Sequence, residues 1–190
     1  MVIVSFRPTA SQRGSSMIEV LVTIVLIAFG LLGMAGLQSR IQVSEMEAYQ
    51  RAQALVLLND MAARIATNRT VAASYVTVSA LGAGMTQACP SGTTLQQTDS
   101  REWCNALQGA AEVTGGNKLG AMIGGRGCVK SLGNNEYMIT VAWQGLIPLS
   151  TLPASVDCGK DAYNGPTGSV CIGDLCRRTV TTVVRIASVS

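Results

Sequence analysis

The chain has 190 residues, of which 48% are hydrophobic, 13% charged and 4% aromatic, and its formal net charge is +3. This composition is too apolar for a disordered chain and too polar for a protein with many membrane spans, and its net charge is too small to indicate nucleic-acid binding. The sequence contains no histidine, which excludes Ser–His–Asp triads, histidine general bases and histidine-containing zinc sites. No lysine stands beside a serine motif either, so we do not expect an enzyme.

The N-terminal segment combines a positive flank with a long apolar run. Residues 1–14 contain Arg7 and Arg13 and no acidic residue. A nearly unbroken apolar run of 21 residues then extends from Met17 to Leu37, with Glu19 as its single charge. A helix needs about 20 residues to span a membrane. The positive flank is expected to stay in the cytoplasm, which puts the rest of the chain outside. No clear signal-peptidase site follows Leu37, so we expect the apolar segment to be retained.

The helical pattern continues beyond the apolar run. Apolar residues recur there at spacings of mostly three and four, with Gln, Glu and Arg between them, and no proline occurs between Pro8 and Pro90. The sequence therefore predicts one helix from about Ser16 to Asn68, roughly 80 Å long. Its first half would lie in lipid, and its second half would be amphipathic and pack on a soluble domain. The apolar positions of the second half are Ile41, Val43, Met46, Ala48, Ala52, Leu55, Val56, Leu58, Met61, Ala62 and Ile65.

Glu19 is the unusual residue of the apolar run. A carboxylate inside a membrane costs on the order of 3 kcal/mol even on insertion scales, although the positive end of the helix dipole offsets part of this. One interpretation is an interfacial side chain that reaches the lipid headgroups. The other is a functional charge that meets a partner, which is the default expectation for an acid in a membrane segment.

The second half of the sequence predicts a small α+β domain. Residues 68–100 favour an irregular connection with one short strand at 75–78, followed by a short helix whose N-cap is Asp99 or Ser100. Gly115–Asn117 predicts a turn. A hairpin of strands 127–132 and 137–144 surrounds the turn signal at 133–135, and 179–186 is a β-branched last strand. Tyr137, Ile139, Val141 and Trp143 alternate and should share one buried face.

All six cysteines lie in this half of the chain, which agrees with an oxidising compartment and disulfide bonds. Six cysteines allow 15 pairings, and the sequence does not select one. A thiolate metal site is the alternative, but it typically shows paired C-x2-C spacings, and the tightest spacing here is Cys171-x4-Cys176. The disulfide candidates are Cys89, Cys104, Cys128, Cys158, Cys171 and Cys176.

The loop 145–176 carries the remaining candidate sites. Its carboxylates Asp157, Asp161 and Asp174 could hold calcium, but their spacing does not match an EF-hand. The loop could also bind a surface, DNA or an adhesin.

The arginines of two short segments, Gly125-Arg126-Gly127 and Arg177-Arg178, are the only other hint of a binding surface. Two or three arginines neutralise few phosphates, so we interpret them as solvated strand ends and expect no specific nucleic acid.

The motif Arg13-Gly14-Ser15-Ser16-Met17-Ile18-Glu19-Val20-Leu21-Val22 resembles the class III signal of type IV pilins and pseudopilins. The resemblance implies that a prepilin peptidase cleaves between Gly14 and Ser15 and methylates the new amino group of Ser15. Glu19 then becomes the fifth residue of the mature chain, the family's position for a carboxylate that docks on the amine of a neighbouring subunit. The family usually has Phe first after the cut, where this chain has Ser15.

The resemblance extends to the segments G-L-L-G-M-A-G-L-Q at 30–38 and Y-M-I-T-V-A-W-Q-G-L at 137–146. Gly30, Gly33 and Gly36 within the first segment have three interpretations: a close helix contact, local melting on entry into a filament, or ordinary tolerance of glycine in lipid. The implied fold is the pilin fold, in which a long N-terminal helix packs on a small antiparallel sheet with disulfide-bearing loops.

The domain organisation follows from this resemblance. We expect a cleaved leader at 1–14, a transmembrane and assembly helix at 15–38, an amphipathic helix at 39–68 and a periplasmic head at 69–190. The implied function is a minor pilin that primes type IV pilus assembly. The alternatives are a minor pseudopilin of type II secretion and a tip binding module on the same scaffold.

The implied partners are prepilin peptidase, other minor and major pilins contacted through the N-terminal helix, a tip adhesin and the inner membrane. We expect no cofactor. The chain would reside in the bacterial inner membrane as a single-pass protein with its head in the periplasm, and later in the filament near its tip.

Overall fold

The computed structural model describes residues 15–84, 88–109, 113–114, 117–118 and 122–187, with the backbone alone for Ser15 and for the two dipeptides. The predicted leader, residues 1–14, lies outside them. The chain divides into two compact units, Met1–Ser44 and Glu45–Ser190. This division falls within the first helix, so each unit contains part of it.

The first helix, α1, extends over Ser15–Thr67, a continuous run of 53 residues. It confirms the predicted long helix to within one residue at each end. In the first unit, the large apolar side chains from Met17 to Leu37 are 51 to 74% exposed. Such a segment is apolar on all sides, which is typical of a helix that meets lipid or other helices rather than a core of its own.

In the second unit, α1 buries one face against the sheet. The buried positions follow one another at spacings of four, four, three and four residues, as one stripe of an α-helix requires. Several apolar residues outside this stripe, such as Met46 and Val56, stay about half exposed or more. The predicted amphipathic half is therefore present, but its buried face is narrower than the apolar list suggested. The stripe comprises Gln50, Ala54, Leu58, Met61 and Ile65.

The connection after α1 differs from the prediction. A 3-10 helix occupies Arg69–Tyr75, and the short strand, β1, is Leu81–Gly82 rather than 75–78. The Thr77 N–H does donate to the Val129 carbonyl at 2.9 Å. Val78 is nevertheless fully exposed, so the 75–78 segment meets its neighbour at one residue and does not form a ladder.

The second helix, α2, covers Leu95–Leu107. It begins earlier than predicted because Thr94, and not Asp99 or Ser100, is the N-cap. The Thr94 hydroxyl accepts from the Gln97 N–H while the Gln97 side chain accepts from the Thr94 N–H, both at 3.2 Å, which forms a capping box. Asp99 and Ser100 are buried inside the helix instead.

Four strands form the main antiparallel sheet, in the order β1, β4, β5, β6. Here β4 is Arg126–Gly133, β5 is Glu136–Gln144 and β6 is Arg177–Arg185. Two short strands, β2 at Val113–Thr114 and β3 at Asn117–Lys118, pair separately with each other. The observed architecture confirms the α+β class and the long helix packed on a small antiparallel sheet.

The predicted hairpin is β4–β5. Asn134 and Asn135 both have positive φ, 49° and 58°, which is the geometry of a tight hairpin turn and favours asparagine. The predicted shared face of β5 is confirmed, because its four large residues belong to one core cluster and are 0 to 6% exposed. These residues are Tyr137, Ile139, Val141 and Trp143. In the core they pack with Trp103 and Leu107 of α2 and with the apolar residues of the buried stripe of α1.

Residues 145–176 contain no helix or strand, as expected from their composition. The six cysteines form three disulfides, which confirms the prediction of disulfides over a thiolate metal site. Two of the bonds tie this loop down, one to strand β4 and one within the loop's own end. The pairs are Cys89–Cys104, Cys128–Cys158 and Cys171–Cys176.

Candidate functional site

The predicted processing and docking residues lie at the start of α1. Gly14 lies outside the described residues, and Ser15 is the first residue of the helix. Glu19 follows one turn later and is exposed. Among the described residues, no ion pair engages Glu19.

The apolar part of α1 is long and apolar enough to cross a membrane by length and composition, and its most apolar window is unburied. These features are compatible with a membrane anchor, and a signal sequence near an N-terminus has them as well. The charged residues of this segment and its flank are Arg7, Arg13 and, near the helix start, Glu19.

The helix is continuous through Gly30, Gly33 and Gly36. A Cβ atom added at any of the three would meet nothing within 4 Å. The three glycines therefore serve no packing contact inside the described chain, and their helix surface is open to lipid or to another helix.

A polar cluster joins the end of α1 to α2. The Arg64 guanidinium donates to Asp60 at 2.9 Å, to Asp99 at 2.7 Å and to Glu102 at 2.8 Å. The Tyr75 hydroxyl donates to the other oxygen of Asp99 in a short hydrogen bond. Tyr75 and Asp99 form the buried part of this interhelical contact, since they are 2% and 7% exposed. The Asp60 and Glu102 side chains are 39% and 53% exposed.

The cluster changes the titration of its phenol. Burial, followed by the hydrogen bond to Asp99, raises the pKa of Tyr75 to about 12, because both disfavour the phenolate. Asn68 acts in the opposite direction, since its amide donates to the Tyr75 oxygen at 3.0 Å. Arg64 is held in its charged form, because its three carboxylate contacts together raise its pKa although burial opposes this.

The loop 145–176 is fixed to the domain by two arginines. Arg177 is 4% exposed and donates to the carbonyls of Val156 and Cys158 at 2.8 and 3.0 Å. Its Nε lies 3.2 Å from a carboxylate oxygen of the buried Asp174, an ion pair without hydrogen-bond geometry.

Arg178 fixes the other side of the loop. It donates to the Ile147 carbonyl at 2.5 Å and lies 3.5 Å from Glu47 of α1. Glu47 in turn accepts from the Leu146 N–H at 2.7 Å. The start of the loop is therefore tied to both β6 and α1 within the second unit.

These contacts correct the interpretation of the basic residues as solvated strand ends. Arg177 and Arg178 are internal, because backbone carbonyls and carboxylates occupy their guanidinium groups. Arg126 stacks over the ring of Tyr163, with its guanidinium carbon 4.8 Å from the ring centre. Since all three cations are engaged inside the domain, they offer no phosphate-binding surface.

The three loop carboxylates do not form a shared site. Asp157 pairs with Lys130 at 2.7 Å, and this contact lowers the pKa of Asp157. Asp174 pairs with Arg177 and also accepts from the Asp161 backbone N–H at 2.8 Å. Within the described ranges, no group of three His, Cys, Asp or Glu residues could hold a metal ion.

Sequence reasoning missed Gln50 and Arg64, two polar residues on α1 that fix the head. The Gln50 side-chain oxygen accepts from the Ile123 N–H at 3.4 Å, and Gln50 is 1% exposed. Its position four residues before Ala54 was the available signal, because it continues the buried stripe. Arg64 carried no comparable signal, since its partners Asp99 and Glu102 are distant in sequence.

Comparison of the chain with protein-family models and with curated proteins, and of its structure with solved structures, found no match. The pilin resemblance thus depends on the residues of the motif and on the architecture behind it.

Proposed function

We propose that the chain is a minor pilin of a type IV pilus, similar to the minor pilin PilV, which is processed by a prepilin peptidase and joins a complex that primes pilus assembly. The observation that carries the proposal is the order of features at the start of α1. A basic segment ending in Gly14 precedes the helix, Glu19 lies one turn inside it, and an apolar run follows without another charge.

The architecture supports the proposal in two ways. The same helix that carries the motif continues into a second unit, where its buried stripe packs on an antiparallel sheet. The exposed apolar stretch leaves α1 available for lipid before assembly and for neighbouring helices afterwards. A minor pilin needs both environments, because it starts as a membrane protein and ends in a filament.

Glu19 has a defined role in this proposal. Cleavage after Gly14 creates an α-amine on Ser15, and the amine of one subunit can approach Glu19 of its neighbour. In a low-dielectric helix bundle such a pair is much stronger than in water. The surrounding apolar side chains give packing area without register, so Glu19 sets the axial stagger of the subunits, as a buried polar residue does in a coiled coil.

The test is the intact mass of the unreduced full chain after co-expression with a prepilin peptidase. The proposal predicts the loss of residues 1–14, the addition of one methyl group and a deficit of six hydrogens for three disulfides. Gly14→Ala is the matched variant, because it changes the cleavage position and leaves the described head intact. A chain that keeps residues 1–14 in the presence of active peptidase would mean a plain signal anchor and would overturn the proposal.

The type II secretion pseudopilin is the competing function, since it would give the same mass. Co-purification distinguishes the two. A minor pilin retains pilus subunits in detergent extracts, whereas a pseudopilin retains the secretion system's own pseudopilins.

A further inference from the structure

The outer edge of β6 is a second candidate interaction surface. β6 pairs with β5 on one side along all nine of its residues, and it is the last strand in the sheet order. The Ile186 N–H donates to the Asn135 carbonyl at 2.9 Å and the Gly145 N–H to the Cys176 carbonyl at 2.7 Å. The backbone N–H and C=O groups of the even-numbered residues of β6 therefore point toward β5, because hydrogen bonding alternates along an antiparallel ladder.

The odd-numbered residues Thr179, Thr181 and Val183 accordingly direct their N–H and C=O groups away from the sheet. In the part of the chain that the structure describes, no hydrogen bond engages these outward groups. Thr181 and Val183 are exposed. The opposite edge of the sheet is different, since β1 and Thr77 cover the first half of β4.

The usual protections of an edge strand are missing from the centre of β6. Residues 179–184 contain no charge and no proline, and the β5–β6 register has no bulge. Natural proteins commonly use charges, prolines or bulges to prevent edge pairing. A long, regular, uncharged edge is therefore a template for another strand.

The core side of the same edge is incompletely covered. Val180, Val184 and Ile186 pack against the core but remain partly exposed. A cavity of about 330 Å³ adjoins the end of the strand, where Ile186 and Ala187 form its wall together with Tyr137. An added strand would place alternate side chains over this row, and the last of them would reach the cavity.

The charge at this end identifies the kind of occupant. Arg69 also lines the cavity, and no ion pair engages it among the described residues. Arg185 has a side chain that is 78% exposed, although it pairs with Glu136. A second copy of β6 contains no acidic residue and would bring no carboxylate of that strand to Arg69, which favours a different polypeptide over self-pairing.

We propose that the edge of β6 accepts an extended segment of a different polypeptide, with apolar residues on its core-facing side and a carboxylate near Arg69. Main-chain hydrogen bonds to Thr179, Thr181 and Val183 would provide affinity, and the cavity and Arg69 would provide specificity. This inference uses the second unit alone, so it does not depend on the proposed function.

The test is residue-resolved amide hydrogen exchange on the full chain in two states: purified as a monomer in detergent, and in membranes of the cells that naturally produce it. We expect the amides of Thr179, Thr181 and Val183 to exchange at least about ten-fold more slowly in the membranes. Equal exchange in both states would overturn the proposal. Slowing in the purified sample that grows with concentration would also overturn it, because the occupant would be a second copy.

Substitutions at Thr181 separate docking from folding. Thr181→Pro removes an outward N–H, which an edge strand tolerates, so it should abolish the slowing at the neighbouring outward amides. Thr181→Ala is the matched control, since it keeps the N–H and should keep the slowing. Val183→Lys is the second variant in case the proline disturbs the protected amides of Val180 and Thr182. Retained slowing with both Thr181→Pro and Val183→Lys would contradict the proposal.

A second pair of variants tests whether Arg69 binds a carboxylate of the partner. Arg69→Glu should reduce the slowing in membranes at least about ten-fold, whereas Lys160→Glu, an exposed cation on the loop, should leave it unchanged. An equal effect of the two variants would show that Arg69 does not recognise a carboxylate of the partner, which would contradict this part of the proposal.

Discussion

At the scale of single residues, the head is held by polar groups that have no counterpart in the hydrophobic pattern. The Arg64 guanidinium contacts three carboxylates from two helices, and the Tyr75 hydroxyl donates to the second oxygen of Asp99. Removing a member of its buried part leaves the partners unsatisfied, which costs more than the net value of one hydrogen bond. The cluster is therefore a sensitive point of the fold, and its Tyr75 belongs to the main apolar core.

Tyr75→Phe tests this cluster. We expect a loss of about 1–3 kcal/mol in the free energy of unfolding at neutral pH, because Asp99 and Asn68 each lose a partner. Chemical unfolding of the full chain in detergent measures it through tryptophan fluorescence, since Trp103 and Trp143 are both buried. Tyr49→Phe is the control, because Tyr49 is 48% exposed. An equal loss in the two variants would show that the cluster contributes nothing.

The same residue predicts an alkaline limit of stability. The folded pKa of Tyr75 is about 12, above the value of about 10 for a free tyrosine. The unfolded chain therefore releases the proton first as the pH rises. The contribution of Tyr75 to the free energy of unfolding is fully present below about pH 10 and is lost between about pH 10 and 12. The wild type should lose on the order of 1 kcal/mol more than Tyr75→Phe between pH 9 and pH 11, and parallel curves would contradict this.

At the scale of elements, the three disulfides differ in what they close. Cys128–Cys158 joins β4 to the middle of the loop across a separation of 30 residues, whereas Cys171–Cys176 spans five. In the chain-entropy account, a longer loop gains more stability when closed. The middle of the loop is also attached to the sheet by Arg177, which donates to two of its carbonyls, and by the ion pair of Asp157 with Lys130.

Replacing both cysteines of a pair with alanine should rank the disulfides. We expect a loss of roughly 3.5 kcal/mol for Cys128–Cys158 and roughly 2 kcal/mol for Cys171–Cys176, from the loop-length dependence alone. The measurement is again chemical unfolding of the full chain, with the disulfide-bonded wild type as the common reference. An opposite ranking would mean that the short disulfide holds the end of the loop against β6 in a way that loop length does not capture.

The elements also show what the sequence could predict. Local periodicity was sufficient for α1 and for β5, because both bury a regular face over many residues. It predicted the presence of α2 but not its start, which depends on a capping box five residues before the Asp99 position. It failed for residues 75–78, where β-branched residues meet a neighbouring strand at Thr77 alone. The disulfide pairing and the burial of Arg177 depend on contacts between distant segments, which periodicity does not encode.

At the scale of the whole molecule, the two units of the chain have different kinds of surface. The first unit exposes apolar side chains on all sides with Glu19 among them, whereas the second unit buries a core and fixes its long loop with disulfides and arginines. The candidate processing residues belong to the first unit and the candidate strand-docking edge to the second. Under the proposed function, these are separate contacts with separate partners, so variants of one should leave the other intact.

Substitution of Glu19 tests the assembly role of the first unit. Glu19→Gln removes the charge and keeps the size of the side chain, so the amine of a neighbouring Ser15 would lose its partner in the helix bundle. We expect normal removal of residues 1–14 by mass and at least a ten-fold drop of the chain in sheared filaments. Glu45→Gln is the matched control, because Glu45 is an exposed acid of the same helix beyond the apolar run.

The two readouts assign any failure to its cause. If Glu19→Gln entered filaments at the wild-type level, the docking role would be wrong while processing could still stand. If residues 1–14 remained on Glu19→Gln as well as on the wild type, the leader itself would be misassigned. Glu19→Asp should restore part of the incorporation, since it returns the charge on a shorter side chain, and this rescue would attribute the defect to the carboxylate rather than to altered helix packing.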